Sequence, residues 1–136
     1  MPLNYVVDEE QATIFIWGSG VLDQASVMDY LQRVFDDSLL KPGMDSYVDL
    51  SNVEKMDISV DTARKLVGFI AQNRDKRGDA KSALVSTYDL NFGLLRMFSA
   101  RTDMDHRASV TWGIFSEPHK ALAWLEIDHL PEGFGD

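Results

Sequence analysis

The sequence contains no cysteine among its 136 residues. This absence excludes disulfide bonds, thiolate zinc sites, iron–sulfur clusters and cysteine nucleophiles. Long apolar runs are also missing, since no stretch approaches the ~20 residues that a membrane-spanning helix needs. The opening residues, MPLNYVVDEE, lack the basic segment followed by an apolar run that marks a secretory signal. We therefore expect a cytoplasmic protein with no integral membrane segment.

Positive charge is scarce: 13 Lys and Arg residues stand against 22 Asp and Glu residues, which gives a formal net charge of -9. This balance disfavours a nucleic-acid partner, because such binding neutralises phosphates with Lys and Arg. It also disfavours a generic anionic membrane surface. The length and the 45% content of hydrophobic residues fit one core in one domain. We expect that domain over residues 1–127, followed by a flexible tail over 128–136.

Residue periodicity predicts the order of the secondary-structure elements. Alternation at Leu3–Asp8 and the branched and aromatic run at Ala12–Trp17 predict an antiparallel hairpin, which Gly18-Ser19-Gly20 is expected to end. A helix is predicted from Asp23, its N-cap, to about Leu39. The later elements are predicted as a strand at Ser46–Leu50, a helix from Ser59 to about Lys76, a strand at Ser82–Thr87, a helix from Asp89 or Asn91 to about Ala100, a strand at Ser109–Phe115 and a last helix capped by Ser116. The order β-β-α-β-α-β-α-β-α predicts an α/β fold whose mixed sheet is mostly parallel after its first strand.

Three stretches carry a resemblance to a known family. They are YVDLSNVEKMDIS at Tyr47–Ser59, ALVSTYDLNFGLLRMFSA at Ala83–Ala100, and WGIFSEPHKALAWL at Trp112–Leu125. Together with the order of elements they resemble the STAS fold of anti-sigma-factor antagonists, and in particular the SpoIIAA-like family, which is grouped with CRAL-TRIO-type lipid-binding domains. The resemblance covers the chain from Leu3 to about Ile127. It implies a STAS-like mixed sheet and a regulatory module that binds other proteins.

The resemblance also draws attention to the stretch before the second helix. In the antagonists, a kinase phosphorylates the Ser that directly follows an Asp at the mouth of this helix. Here Met56-Asp57 matches that pattern, but Ile58 occupies the acceptor position and Val60 stands where the pattern has Gly. Ser59 comes one residue late, so we expect it to cap the helix N-terminus. A phosphorylation site at Ser59 is the alternative hypothesis.

Asp49, Asp57 and Asp89 each fall near a predicted strand end or helix start, where parallel sheets commonly bind ligands. A carboxylate in such a place is also a common helix cap. No Ser–His–Asp arrangement is visible, and the three histidines are scattered without metal-ligand spacing. We therefore predict a non-enzymatic protein with no metal and no cofactor. Asp49, Asp57 and Ser59 are the candidates for regulation or partner binding, and an enzyme using Asp49 or Asp57 is the third hypothesis.

The predicted helix over 91–100 is apolar on nearly every side, so it must bury more than one face. The candidate interface or ligand residues on it are Phe92, Leu94, Leu95, Met97, Phe98 and Arg96. Such a helix could lie within the core, pack on a second subunit, or line an apolar pocket, and Met and Phe suit adaptable surfaces. Arg96 could meet an anionic head group there, or it could be a solvated charge.

Two functions follow as hypotheses. The first is a non-enzymatic regulatory or interaction module that binds a partner protein, or itself as a homodimer. The alternative is a carrier or sensor that binds an apolar small molecule or a lipid in a pocket near the third predicted helix. An exposed apolar patch would favour the module, whereas an enclosed pocket of several hundred Å³ would favour the carrier.

Overall fold

The computed structural model describes residues 3–86, 96 and 110–135. Within these ranges, five strands form one sheet in the order β1-β2-β3-β4-β5. The strands are β1 (Leu3–Asp8), β2 (Thr13–Asp23), β3 (Asp45–Asp57), β4 (Ala80–Val85) and β5 (Val110–Phe115). β1 is antiparallel to β2, and every other neighbouring pair is parallel. The predicted α/β fold, with a hairpin leading into a mostly parallel sheet, is confirmed.

Helices follow the strands in the predicted order, with one short addition. They are α1 (Gln24–Phe35), α2 (Val60–Gln72), α3 (Arg74–Arg77) and α4 (Pro118–Leu125). The sequence predicted α2 and α3 as one helix, but the helix is interrupted at Asn73. The backbone N–H of Asn73 still donates a hydrogen bond to the Ile70 carbonyl. The helix predicted over 91–100 lies outside the described residues.

Strand β2, which pairs with β1 on one side and β3 on the other, is buried on both faces. Ile14, Phe15 and Ile16 are each 0% exposed, and successive residues of a strand point to opposite faces. Ile14 and Ile16 belong to one apolar cluster, whereas Phe15 belongs to a second cluster on the other side of the sheet. Burial on both faces is typical of a parallel sheet covered by helices.

α1 and α2 cover the first face. α1 contributes Leu31 and Val34 to the cluster that contains Ile14, and α2 contributes Leu66 and Ile70. Asp23 is the N-cap of α1, as predicted: its carboxylate accepts from the Ser26 backbone N–H at 2.9 Å, and the Ser26 hydroxyl accepts from the Asp23 backbone N–H at 3.0 Å. This reciprocal capping satisfies donors that a helix start otherwise leaves without partners.

α4 and the C-terminal residues cover the second face. Ala121 and Leu125 of α4 pack in the cluster that contains Phe15 and Tyr47. In the predicted tail, the ring of Phe134 lies 5.7 Å from that of Tyr47, centroid to centroid, and contacts Phe15 and Trp17 as well. Flexibility of the tail over 128–136 stays a prediction.

The structure corrects two strand ends. Gly18–Gly20 does not end β2, which continues to Asp23; register shifts flank Ser19 and Gly20, and Gly20 has φ +71°. A bulge of this kind accommodates glycine within a continuing strand, so the predicted end of the strand at Gly18–Gly20 was wrong. β3 likewise runs past Leu50 to Asp57, because its polar second half pairs with the extended part of β2.

Two helix boundaries also differ from the prediction. α1 ends at Phe35 instead of continuing to Leu39, since Asp36 and Asp37 already form a turn closed by backbone hydrogen bonds to Gln32 and Val34. The N-cap of α4 is Glu117, which makes no side-chain capping hydrogen bond, so the prediction of Ser116 as the cap was wrong. Pro118 does stand in the first turn, where its missing N–H costs nothing.

Gly113 of β5 sets how closely α4 approaches the sheet. A Cβ atom there would lie 2.9 Å from the Phe115 ring and 3.1 Å from the Trp124 ring. We expect Gly113→Ala to lower the free energy of unfolding by about 1–3 kcal/mol through overpacking, as measured by chemical denaturation. The matched control is Gly68→Ala in α2, where nothing lies within 4 Å and the change should stabilise the protein by about 0.5–1 kcal/mol. Equal effects of the two substitutions would contradict the close packing of α4 on β5.

Candidate functional site

β2 and β3 extend together past their neighbours at one end of the sheet. The pairing of β1 with β2 ends at Gly18, and the pairing of β4 with β3 ends at Asp49. Within the part of the chain that the structure describes, Ser19–Asp23 and Asn52–Asp57 therefore pair only with each other. Because the two strands are parallel, both deliver the chain to the same edge, where α1 and α2 begin.

Ser59 caps α2, as the sequence predicted. Its hydroxyl accepts a hydrogen bond from the Thr62 backbone N–H at 3.1 Å, with extended backbone angles at Ser59. The Thr62 hydroxyl in turn lies 3.3 Å from the side-chain oxygen of Gln24, which joins the first turns of α1 and α2. Asp61 adds a carboxylate to the first turn, where it interacts favourably with the helix dipole.

Exposed apolar and acidic side chains surround these two helix starts. We call Val21, Asp23, Asp57, Ser59 and Val60 the helix-mouth surface. Val21 is 49% exposed and Val60 is 42% exposed, although both are large aliphatic residues. Asp23 and Asp57 are direct partners across the two strands, so two exposed carboxylates stand side by side. Hydrogen bonds from Ser26 hold the pKa of Asp23 below its usual value, which keeps that carboxylate charged.

Asp49 does not join this surface. It lies in the middle of β3, half-buried, and its carboxylate accepts from the Ser51 backbone N–H at 2.9 Å. Eight positions separate it from Asp57, which is roughly 26 Å along an extended strand. The sequence-predicted candidates therefore divide, with Asp57 and Ser59 together and Asp49 apart. Phe92, Leu94, Leu95, Met97 and Phe98 lie outside the described residues, whereas Arg96 is helical and exposed.

A second feature is a cavity of about 140 Å³ between the sheet and α1 and α2. Its wall is largely aliphatic, with Leu22 from β2, Leu31 from α1, Leu66 from α2 and Leu84 from β4. The volume is close to that of an engineered cavity of ~150 Å³ that stays dry and binds benzene. It is smaller than the ~300–1,000 Å³ of sites for drug-sized ligands. The cavity therefore has the size and lining for a small apolar molecule.

One end of the cavity wall is polar. Arg77 is only 6% exposed, and its Nη2 atom donates to the Ser46 hydroxyl at 3.3 Å. The Ser46 hydroxyl donates to that of Ser82 at 2.7 Å. Burial raises the pKa of Tyr30, another wall residue, to about 12, so its hydroxyl keeps its proton. Burial also lowers the pKa of Arg77, while the nearby Tyr30 and Asp45 act in the opposite direction.

The backbone fixes Arg77 in this position. The Gly43 N–H donates to the Arg77 carbonyl at 2.7 Å. Gly78 follows with φ +63°, and a Cβ atom there would lie 2.8 Å from the Gly43 nitrogen, so only glycine permits this approach. Reasoning from sequence missed Arg77, because the run RDKRGDAK looks like a solvated loop and no periodicity separates its buried charge from its exposed ones.

Comparison with known proteins supports the fold. No family model and no curated protein matches the chain. A solved structure does match: an uncharacterised protein of the DUF3478 family with a SpoIIAA-like fold, from Shewanella loihica PV-4. The TM-score is 0.57 at 13% sequence identity, and the match covers 90% of this chain and 93% of the other. The chain therefore has the SpoIIAA-like fold that the sequence predicted.

None of the helices in residues 3–86 and 110–135 is long and apolar enough to cross a membrane. Across the same residues, no group of three or more histidine, aspartate or glutamate side chains is arranged to hold a metal ion.

Ser59→Ala tests the cap at the helix mouth. We expect a loss of about 1 kcal/mol in the free energy of unfolding, because the Thr62 N–H would lose its acceptor. Ser59→Asp is the matched control and should retain most of the stability, since Asp is an equally good N-cap. Thermal and urea denaturation would measure both variants. Wild-type stability of Ser59→Ala would show that the capping bond contributes little.

Proposed function

We propose that the protein is a non-enzymatic, cytoplasmic regulatory module that binds a partner protein through the helix-mouth surface. The observation that carries this proposal is the exposure of Val21 and Val60 at the same end of the sheet, beside Asp57. Exposed aliphatic side chains bordered by charges are typical of surfaces that bind other proteins. The SpoIIAA-like fold supports an interaction role by analogy only.

Charge favours a different protein over a second copy as the partner. The chain carries a formal net charge of -9, and the surface itself presents the carboxylates of Asp23 and Asp57 side by side. A symmetric dimer through this surface would bring like charges together, because an isologous contact pairs the same patch with itself. A partner with Lys or Arg next to an apolar side chain complements both features.

Val60→Asp tests the proposed surface. Val60 is the first residue of α2, where an added carboxylate is compatible with the helix dipole, so the fold should persist. We expect affinity for the partner to fall at least about tenfold, because burying a new charge beside Asp57 is unfavourable. The partner would be isolated by cross-linking in cells and then purified for titration against each variant.

The matched control is Leu39→Asp. Leu39 is 43% exposed and lies just beyond the end of α1, away from the helix mouths. The Leu39→Asp variant should bind the purified partner as tightly as the wild type does. Loss of binding in Leu39→Asp with retention in Val60→Asp would place the interface elsewhere. If the wild-type protein sediments as a dimer and the Val60→Asp variant as a monomer, the partner at this surface is a second copy of the chain and not a different protein.

The cavity supports a second proposed function, in which the protein senses or carries a small apolar molecule. A volume of about 140 Å³ holds a single small ring or a short branched chain. This second proposal concerns small apolar compounds, because a long acyl chain exceeds that volume. The pocket predicted near the helix over 91–100 lies outside the described residues and stays a prediction. The cavity lies on the same face of the sheet as α1 and α2.

Filling the cavity tests this second function. Ala63 of α2 lines the cavity and is 2% exposed. We expect benzene to raise the melting temperature of the wild type, because a ligand that binds only the folded state stabilises it. Ala63→Leu should remove that rise while keeping wild-type stability, since the added atoms occupy empty space. Ala25→Leu, the same change at an exposed position of α1, should leave the benzene response intact. No response in the wild type would exclude an apolar guest.

A further inference from the structure

Arg77 is a buried cation with few protein partners. Its guanidinium carries five N–H donors, and the hydrogen bond that the structure gives it goes to the Ser46 hydroxyl at 3.3 Å. Across residues 3–86 and 110–135, no carboxylate lies within ion-pair distance of it. Burying a charge without an opposite charge or enough hydrogen-bond acceptors costs free energy. Arg77 is 6% exposed, so a bound anion beside its guanidinium would offset that cost.

The groups next to Arg77 are donors as well. Ser46 uses its hydroxyl proton on Ser82, and the structure shows no acceptor for the Ser82 proton among the described residues. The Tyr30 hydroxyl stays protonated at neutral pH and can donate too. Asp45, the carboxylate whose charge acts on Arg77, is already bound to the Lys81 backbone N–H at 2.8 Å. This end of the cavity therefore offers hydrogen-bond donors from Arg77, Ser82 and Tyr30.

The rest of the cavity defines the body of the ligand. Its aliphatic wall and volume of about 140 Å³ suit a ring or branched chain of roughly six carbon atoms. One cation, with Asp45 close by, matches a single negative charge better than the two charges of a phosphate monoester. We propose that the cavity binds a small apolar carboxylate of about the size of benzoate, whose oxygens accept hydrogen bonds from Arg77 and Ser82. This inference rests on the second proposed function.

Paired ligands test the head group. Benzoate and benzyl alcohol have the same ring but differ in charge, and both would be titrated against the full chain by calorimetry and thermal shift. We expect benzoate to bind at least about tenfold more tightly, because hydrogen bonds from a guanidinium to a carboxylate are the strong ones. Arg77→Met should remove this preference, whereas Arg74→Met, the same charge change at an exposed site of α3, should keep it.

The outcomes separate this inference from the function on which it rests. Equal binding of benzoate and benzyl alcohol would overturn the carboxylate inference and leave the apolar cavity function standing. Binding of neither ligand would overturn both. A benzoate preference that persists in Arg77→Met would show that the head group lies elsewhere.

Stability of the ligand-free variants supplies a second readout. We expect Arg77→Met to be as stable as the wild type or more stable, since an apolar chain replaces an uncompensated charge. A purely structural role of Arg77 predicts marked destabilisation instead. If Arg77→Met fails to fold, Arg77→Lys keeps the charge but loses the planar donor pair, and an unchanged benzoate affinity in that variant would overturn the inference.

Discussion

The burial of β2 on both faces is the constraint from which the rest of the structure follows. Ile14, Phe15 and Ile16 are all inaccessible, so apolar cover is needed on both sides of the sheet. α1 and α2 supply it on one side, and α4 with Phe134 supplies it on the other. Since β2 and β3 are parallel, each must end at the same edge before its helix begins. The connectivity of the sheet therefore determines where the helix-mouth surface lies. The local sequence determines its chemistry, through Val21, Val60 and the paired carboxylates of Asp23 and Asp57.

The cavity breaks two packing rules in the same place. Protein interiors are close-packed, and buried charges are paired, yet an empty volume of about 140 Å³ adjoins a guanidinium that is 6% exposed. Either departure alone could be a local compromise of the fold. Their coincidence is more informative, because the backbone hydrogen bond from Gly43 to the Arg77 carbonyl holds α3 where the guanidinium adjoins the cavity. Departures of this kind concentrate at functional sites.

The sequence predicted what local patterns control. Alternation and helical periodicity were sufficient for the fold, and side-chain chemistry was sufficient for the caps at Asp23 and Ser59. The prediction failed where one local pattern is compatible with two structures. The glycines at Gly18–Gly20 can end a strand or form a bulge within it, and only the pairing with β3 selects the bulge. It could not find Arg77 at all, because the burial of one charge in a charged run depends on contacts with residues far along the chain, such as Ser46.

The two proposed sites are built on neighbouring residues of the same chain segments. Leu22, Met56 and Ile58 line the cavity, and their chain neighbours Asp23, Asp57 and Ser59 form the helix-mouth surface. Alternating side chains along these stretches thus face the cavity on one side and solvent on the other. A guest that shifts α1 or α2 would move the helix starts that present the surface. By thermodynamic linkage, any change that a ligand makes in partner affinity must be matched by an equal change that the partner makes in ligand affinity. A regulatory module of this fold can therefore respond to a small molecule without any catalytic step.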